Sequence, residues 1–278
     1  GHGGQTLLTE AVRSAARVEG AIDLGVHVLR DVAEPVRLYQ LGDGEFAALR
    51  VETTASTNLA VRPTRLIGRG AEVSEACGLL AVSRLVTVAA VGGSGKTRLA
   101  VAVGFEELPR WRDGVWFVDL TAVSNGEEVA GAVAVAAGLL LGGGDPLSQV
   151  VEFFLGKRAL LILDNCEHVI DAAAELSEAL LASDGETAVL ATSREALDLD
   201  GERLMQLSSL SGDTSDASAR SPAVELFIER ATAVDPSFNP DADGESTISA
   251  VCARLDGMPL AIEVAAARMT GMTPAQPL

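Results

Sequence analysis

The run Leu85-Val86-Thr87-Val88-Ala89-Ala90-Val91-Gly92-Gly93-Ser94-Gly95-Lys96-Thr97 restricts the fold more than any other part of the chain. A β-branched apolar stretch enters a cluster of glycines and leaves as the helix-compatible Arg98-Leu99-Ala100-Val101-Ala102-Val103, the pattern of a buried strand, a tight turn and a helix. Glycines at such a turn let backbone N–H groups close around oxygen atoms, and the helix N-terminus adds partial positive charge. Lys96, one of only two lysines in the chain, stands where an ammonium reaches β- and γ-phosphates. This is the sequence form of a phosphate-binding loop. Gly92, Gly93, Ser94, Gly95, Lys96, Thr97 and Arg98 are its candidate nucleotide contacts, and the Thr97 hydroxyl is a candidate Mg²⁺ ligand. One position departs from G-x-x-x-x-G-K-[ST]: Ala90 replaces the first glycine, so a permissive site has gained a Cβ. The plain alternative is a glycine-rich strand-to-helix turn.

Downstream, the runs at residues 114–120, 159–164 and 187–192 read as buried strands, and residues 127–141 and 169–181 have helical spacing. Strands alternating with helices predict an α/β three-layer sandwich with a parallel sheet. Ligands of such sheets bind at the carboxyl ends of the strands, where Lys96, Asp164 and Arg194 are expected together. Asp164 closes an apolar strand and is placed to hold Mg²⁺ opposite the loop, although an aspartate there can also be a turn or helix cap. Arg194 follows the next strand and suits a γ-phosphate sensor, since guanidinium matches phosphate geometry. Asn165 stands where a glutamate would orient water, which predicts slow hydrolysis. Glu167 and His168 are alternative bases or the start of a helix, and Cys166 reads as a small buried residue.

The formal charge of −18 argues against a nucleic-acid or anionic membrane surface, so phosphate binding must be local. Cys77, Cys166 and Cys252 are three and widely spaced, which suggests neither disulfides nor zinc and fits a reducing, cytoplasmic location. No apolar run reaches the length of a spanning helix, and no signal peptide is apparent. Residues 208–221 are rich in Ser, Asp, Gly and Ala and read as a linker. Beyond it, Pro222 opens an amphipathic helix, a second helical run ends near Leu255, and Gly257-Met258-Pro259 divides that run from a third. The first residue is Gly1 and the last is Leu278, which suggests a piece of something longer.

Five segments in order, Leu66-Ile67-Gly68-Arg69, residues 92–97, residues 160–168, Thr192-Ser193-Arg194-Glu195 and Gly257-Met258-Pro259-Leu260, resemble the STAND-type, NB-ARC-like ATPases of large LuxR-type bacterial transcriptional regulators. The resemblance covers residues 58–278. It implies a P-loop NTPase core at 58–207 and, at 208–278, a linker and truncated helical lid acting as a nucleotide-gated switch. ATP or ADP with Mg²⁺ would be its cofactors, Ile67 and Arg69 its adenine-side segment, and Pro259 its lid contact. Gly70 departs from the glutamate usual in that family. Residues 1–57 resemble the closing helix and strands of an α+β class III adenylate/guanylate cyclase homology domain, without its metal aspartates. No cyclase activity is therefore expected, nor direct DNA binding, since no helix-turn-helix is recognisable. Partners would be adenine nucleotide, further copies of the chain or other domains of the regulator. A non-binding scaffold or a cyclase fragment are the rival readings.

Overall fold

A computed structural model describes residues 6–16, 18, 20–27, 36–42, 57–59, 65–210 and 220–268 of the chain. Near the N-terminus, β1 (Thr6–Thr9), α1 (Glu10–Ala16), β2 (Ile22–His27) and β3 (Val36–Leu41) form a small α+β unit. Its sheet is antiparallel in the order β1-β3-β2, with the Arg13 guanidinium 4.3 Å from the Tyr39 ring centroid. β1, β2 and β3 are the strands described within residues 1–57, of which residues 1–5 and 28–35 lie outside the described residues.

The main sheet is parallel: β4 (Leu85–Ala89), β5 (Val115–Asp119), β6 (Leu160–Asp164), β7 (Ala188–Ser193) and β8 (Arg203–Gln206), in the order β5-β6-β7-β4-β8. Parallel neighbours need long crossovers, and helices in those crossovers cover both faces. On one face α4 (Val129–Ala136), α5 (Pro146–Phe154) and α6 (Ile170–Ala182) pack against Leu161, Leu163, Val189 and Ala191. On the other, α2 (Gly70–Val82) and α3 (Lys96–Glu107) pack against Val86, Val88, Leu160 and Ile162. Successive strand residues face opposite sides, so a strand covered twice must be apolar at every position, as Leu160-Leu161-Ile162-Leu163 is. At the outer side of β5, Thr57 bridges Val115, and the Asn58 amide both accepts from the Phe117 N–H and donates to its carbonyl, each at 2.7 Å.

The expected helix over 127–141 is shorter than its periodicity. A 3₁₀ turn at Gly126–Glu128 leads into α4, which ends at Ala136 because Gly138 takes φ +69°, a left-handed terminator. Leu139, Leu140 and Leu141 therefore follow the helix rather than extend it. Helix α5 is set by local grammar that a search for long periodic runs passes over: Pro146 opens it, and the Asp145 carboxylate accepts the Ser148 N–H at 2.9 Å.

Helices α7 (Pro222–Val234), α8 (Ala242–Arg254) and α9 (Pro259–Ala267) gather around Ala223, Phe227, Cys252 and Ile262. Ile67 and Leu210 join the same cluster, so the segment before α2 is packed into the helical unit. Gly257 lies at φ +63° between α8 and α9, and its carbonyl accepts the Leu210 N–H at 2.9 Å. The division by Gly257 and Pro259 is as expected; the middle of the expected linker, residues 211–219, lies outside the described residues. Among the described residues no helix is long and apolar enough to cross a membrane.

Candidate functional site

Helix α3 leaves β4 toward one face of the sheet and α6 leaves β6 toward the other, so the chain diverges at the carboxyl ends and opens a crevice there. The loop after β4 lines it. Gly93 and Gly95 take φ +79° and +92°, conformations that would strain any residue with a Cβ, and Gly95 directly precedes α3. Ala90 is not at positive φ, its N–H donates to the Ser193 carbonyl at 3.2 Å, and its side chain is buried in the core. The lost glycine therefore imposes no backbone strain.

Lys96 is 8% exposed and folds back over its own loop, donating to the Ala90 carbonyl at 2.7 Å and the Val91 carbonyl at 3.3 Å. Burial lowers its pKa and Arg194 adds to that, while the carboxylates of Glu167 and Asp164 oppose it. Asp164 is 4% exposed and accepts two hydroxyl hydrogen bonds, from Thr97 Oγ1 at 2.8 Å and Thr192 Oγ1 at 2.6 Å. Its pKa is raised, chiefly by burial, against the pull of those two donors. Thr192 in turn accepts the Asn165 N–H at 3.0 Å, so the β7 hydroxyl fixes both the carboxylate and the turn after it. The Ser94 hydroxyl is buried without a partner among the described residues, as a group awaiting a ligand oxygen would be. A carboxylate and a hydroxyl held together are hard oxygen donors of the kind Mg²⁺ takes, with phosphate and water completing its shell. Thr97 and Asp164 fit that ion.

Arg194 is 67% exposed, and its Nε donates to Glu167 Oε1 at 3.1 Å. A Cβ built on Gly92 would sit 3.9 Å from Arg194 Nη2, so the guanidinium does reach the loop. His168 Nε2 lies 3.0 Å from both the Leu120 and Val123 carbonyls, which ties its ring to that turn. The Cys166 thiol is fully buried, and burial pushes its pKa up to about 12, as expected of an inert packing residue.

The helical unit meets this site directly. Leu260 N, beside Pro259 at the start of α9, donates to the Gly93 carbonyl at 3.1 Å, and Pro259 itself opens the helix. The Arg98 guanidinium is paired with Glu263 on α9 at 3.0 Å, and Arg230 on α7 shares the same oxygen at 3.1 Å. Arg69, 4% exposed, donates to Glu72 at 2.6 Å, to the Ser208 carbonyl at 2.6 Å and to the Ser94 carbonyl at 3.4 Å. Its guanidinium thus ties loop, linker and α2 together, and the Ile67 side chain faces the helical core. Gly70 starts α2 with open space around the position of a Cβ, so its departure is accommodated without contact.

Sequence reasoning gave no role to Thr192, Glu263 or the Glu167–Arg194 pair. Thr192 lay within a recognised motif, but only strand register shows that it reaches Asp164; Glu263 carried no local signal. A cavity of about 1180 Å³ lies beyond Glu167, lined by Glu127, Asp145, Asp171 and Glu175 among others. Its carboxylates would repel a triphosphate.

No protein-family model matches the chain. A candidate HTH-type transcriptional regulator of Mycobacterium tuberculosis is 42% identical over 197 residues, 70% of this chain and 21% of that protein. An uncharacterised Mycobacterium tuberculosis protein is 37% identical over 214 residues, 77% of this chain and 53% of its own length. The regulatory protein AfsR of Streptomyces griseus is 28% identical over 270 residues, 90% of this chain and 26% of AfsR. The chain thus spans about a fifth to a half of these relatives. Among solved structures, Cdc6p of Pyrobaculum aerophilum matches with a TM-score of 0.54 at 16% identity, over 76% of this chain and 64% of that one. The fold is that of the P-loop NTPases, and the sequence relatives include transcriptional and AfsR-type regulators. The comparisons give no support to the cyclase resemblance of residues 1–57.

Proposed function

We propose that this chain is the nucleotide-gated switch module of a larger regulator, binding ATP or ADP with Mg²⁺ and hydrolysing ATP slowly. Its chief support is the convergence of Lys96, Thr97, Asp164 and Arg194 on one glycine loop at the carboxyl ends of β4, β6 and β7. Amides of residues 92–97 and the N-terminus of α3 receive phosphate oxygens. Lys96 spends two of its three N–H donors on the Ala90 and Val91 carbonyls, and the third is its phosphate contact. Thr97 and Asp164 would hold Mg²⁺, which would supply positive charge against the phosphates. Arg194 reads the γ-phosphate.

Asn165 offers an amide where a base would take a proton from water, so turnover is slow. Ile67 and Arg69 serve the adenine side through their backbone, since both side chains are committed elsewhere. Contacts of α9 with Gly93 and Arg98 couple the helical unit to the state of the loop. The signal so produced passes to other domains of the regulator or to further copies of the chain. Phosphate release from Mg·ATP tests the reading: turnover well below one per second that is abolished by Asp164→Ala is expected. Multiple turnovers per second, or activity that survives Asp164→Ala, would contradict it.

A further inference from the structure

Glu167 follows β6 in the 3₁₀ turn Cys166–His168. One of its carboxylate oxygens accepts the Arg194 Nε–H at 3.1 Å, and the other is buried without a hydrogen-bond partner among the described residues. A buried carboxylate oxygen left without a donor is unfavourable, so its position calls for a reason beyond packing. Two cations supply one. Arg194 reaches toward Gly92 of the loop, and, after the burial that disfavours the Lys96 ammonium, Glu167 is the carboxylate that most favours it. Glu167 thus holds one negative charge against Arg194 and within electrostatic reach of Lys96, the two cations proposed for a terminal phosphate.

We propose that Glu167 is an internal stand-in for the γ-phosphate, holding Arg194 until ATP displaces it, and thereby sets how strongly the site prefers ATP to ADP. The inference rests on the nucleotide-binding reading above. ATP must take the guanidinium from a carboxylate, which offsets part of its gain; ADP has no phosphate at that place and leaves the pair intact. Removing the charge while keeping the shape, as in Glu167→Gln, therefore favours ATP and leaves ADP nearly unaffected. With Arg194 largely exposed, solvent screening holds the effect to about three- to fivefold.

The test is calorimetric titration of the chain with Mg·ATP and Mg·ADP as wild type, Glu167→Gln, Arg194→Ala and the double variant. Glu167→Gln is expected to raise the ratio of ATP to ADP affinity about three- to fivefold, and Arg194→Ala to abolish most of the preference. In the Arg194→Ala background, Glu167→Gln should change the ratio less than about twofold, because the interaction it releases is gone. Glu167→Asp keeps the charge on a shorter arm and should give an intermediate ratio, so the idea stays testable if Glu167→Gln does not fold. An unchanged ratio in a protein that binds ATP overturns the proposal. An equal rise without Arg194 also overturns it, since Glu167 would then be a plain repulsive charge. If the wild type binds neither nucleotide, the nucleotide reading itself fails.

Discussion

Gly257→Ala should separate the helical unit from the phosphate loop by a calculable amount. Gly257 takes φ +63°, its N–H donates to the Cys252 carbonyl at 3.1 Å, and its carbonyl accepts from Leu210 at 2.9 Å. A methyl group there would overlap the Leu210 carbonyl oxygen, with the carbonyl carbon 3.2 Å away. Backbone is hit, and no flexible side chain can swing aside. The left-handed conformation costs an L-residue about 1–2 kcal/mol. The displaced Leu210 hydrogen bond adds about 1 kcal/mol, and the shift that relieves the overlap about 1–2 more. The total of about 3–5 kcal/mol is a large part of the 5–15 kcal/mol that typically separates folded from unfolded domains. Gly201 provides the control: it has φ +80° but nothing within 4 Å of a built Cβ, so Gly201→Ala carries the conformational cost alone. Urea unfolding followed by circular dichroism should show the loss for Gly257→Ala exceeding that for Gly201→Ala by about 2–3 kcal/mol. Equal losses would refute the clash, and no loss at Gly257 would refute the geometry that joins Leu210 to α9.

Other consequences follow from single groups. Burial raises the Asp164 pKa above its unfolded value, so the native state holds the extra proton between the two values and stability rises as pH falls through the native one. Above the native value the ionised carboxylate therefore destabilises the ligand-free fold. Asp164→Asn is expected to raise its thermal midpoint while lowering Mg²⁺-dependent nucleotide affinity more than about tenfold, and a lower midpoint would contradict the argument. Burial pushes the thiols of Cys166 to about 12 and of Cys252 to about 11, so a thiol reagent at pH 8 should label these two only on unfolding; their rapid labelling in the native chain would contradict that burial. Glu263→Ala removes the ion pairs of Arg98 and Arg230 with α9 and should cost about 1 kcal/mol, with faster amide exchange at Leu260; unchanged exchange there would mean that these pairs do not hold α9 to the loop.

The sheet and loop were legible because their signals are local. Leu160 to Leu163 can be apolar at four successive positions only if covered on both faces, and Gly93 and Gly95 announce left-handed turns. Asp164 and Arg194 could be placed because strand ends in a parallel sheet fall on one edge. What escaped depends on distance along the chain. Arg69 meets the Ser208 carbonyl 139 residues away and Arg98 meets Glu263 165 residues away, and no spacing rule links such residues. The same holds for Asn58 and Phe117, 59 residues apart. The overlong reading of α4 had a local cause: Leu139, Leu140 and Leu141 extend an apolar pattern that Gly138 ends by conformation rather than by polarity.

Isothermal titration calorimetry of the chain and its Lys96→Ala variant with ATP and ADP, with and without Mg²⁺, decides the nucleotide reading. Lys96 is the only lysine in the loop, and its Nζ bonds only to that loop's carbonyls among the described residues, so its loss should spare the fold and remove the phosphate contact. The wild type is expected to bind both nucleotides with Mg²⁺-dependent affinity, and Lys96→Ala to lose binding with an unchanged circular dichroism spectrum. Equal affinity in the two proteins, or no heat of binding from the folded wild type, would contradict the account.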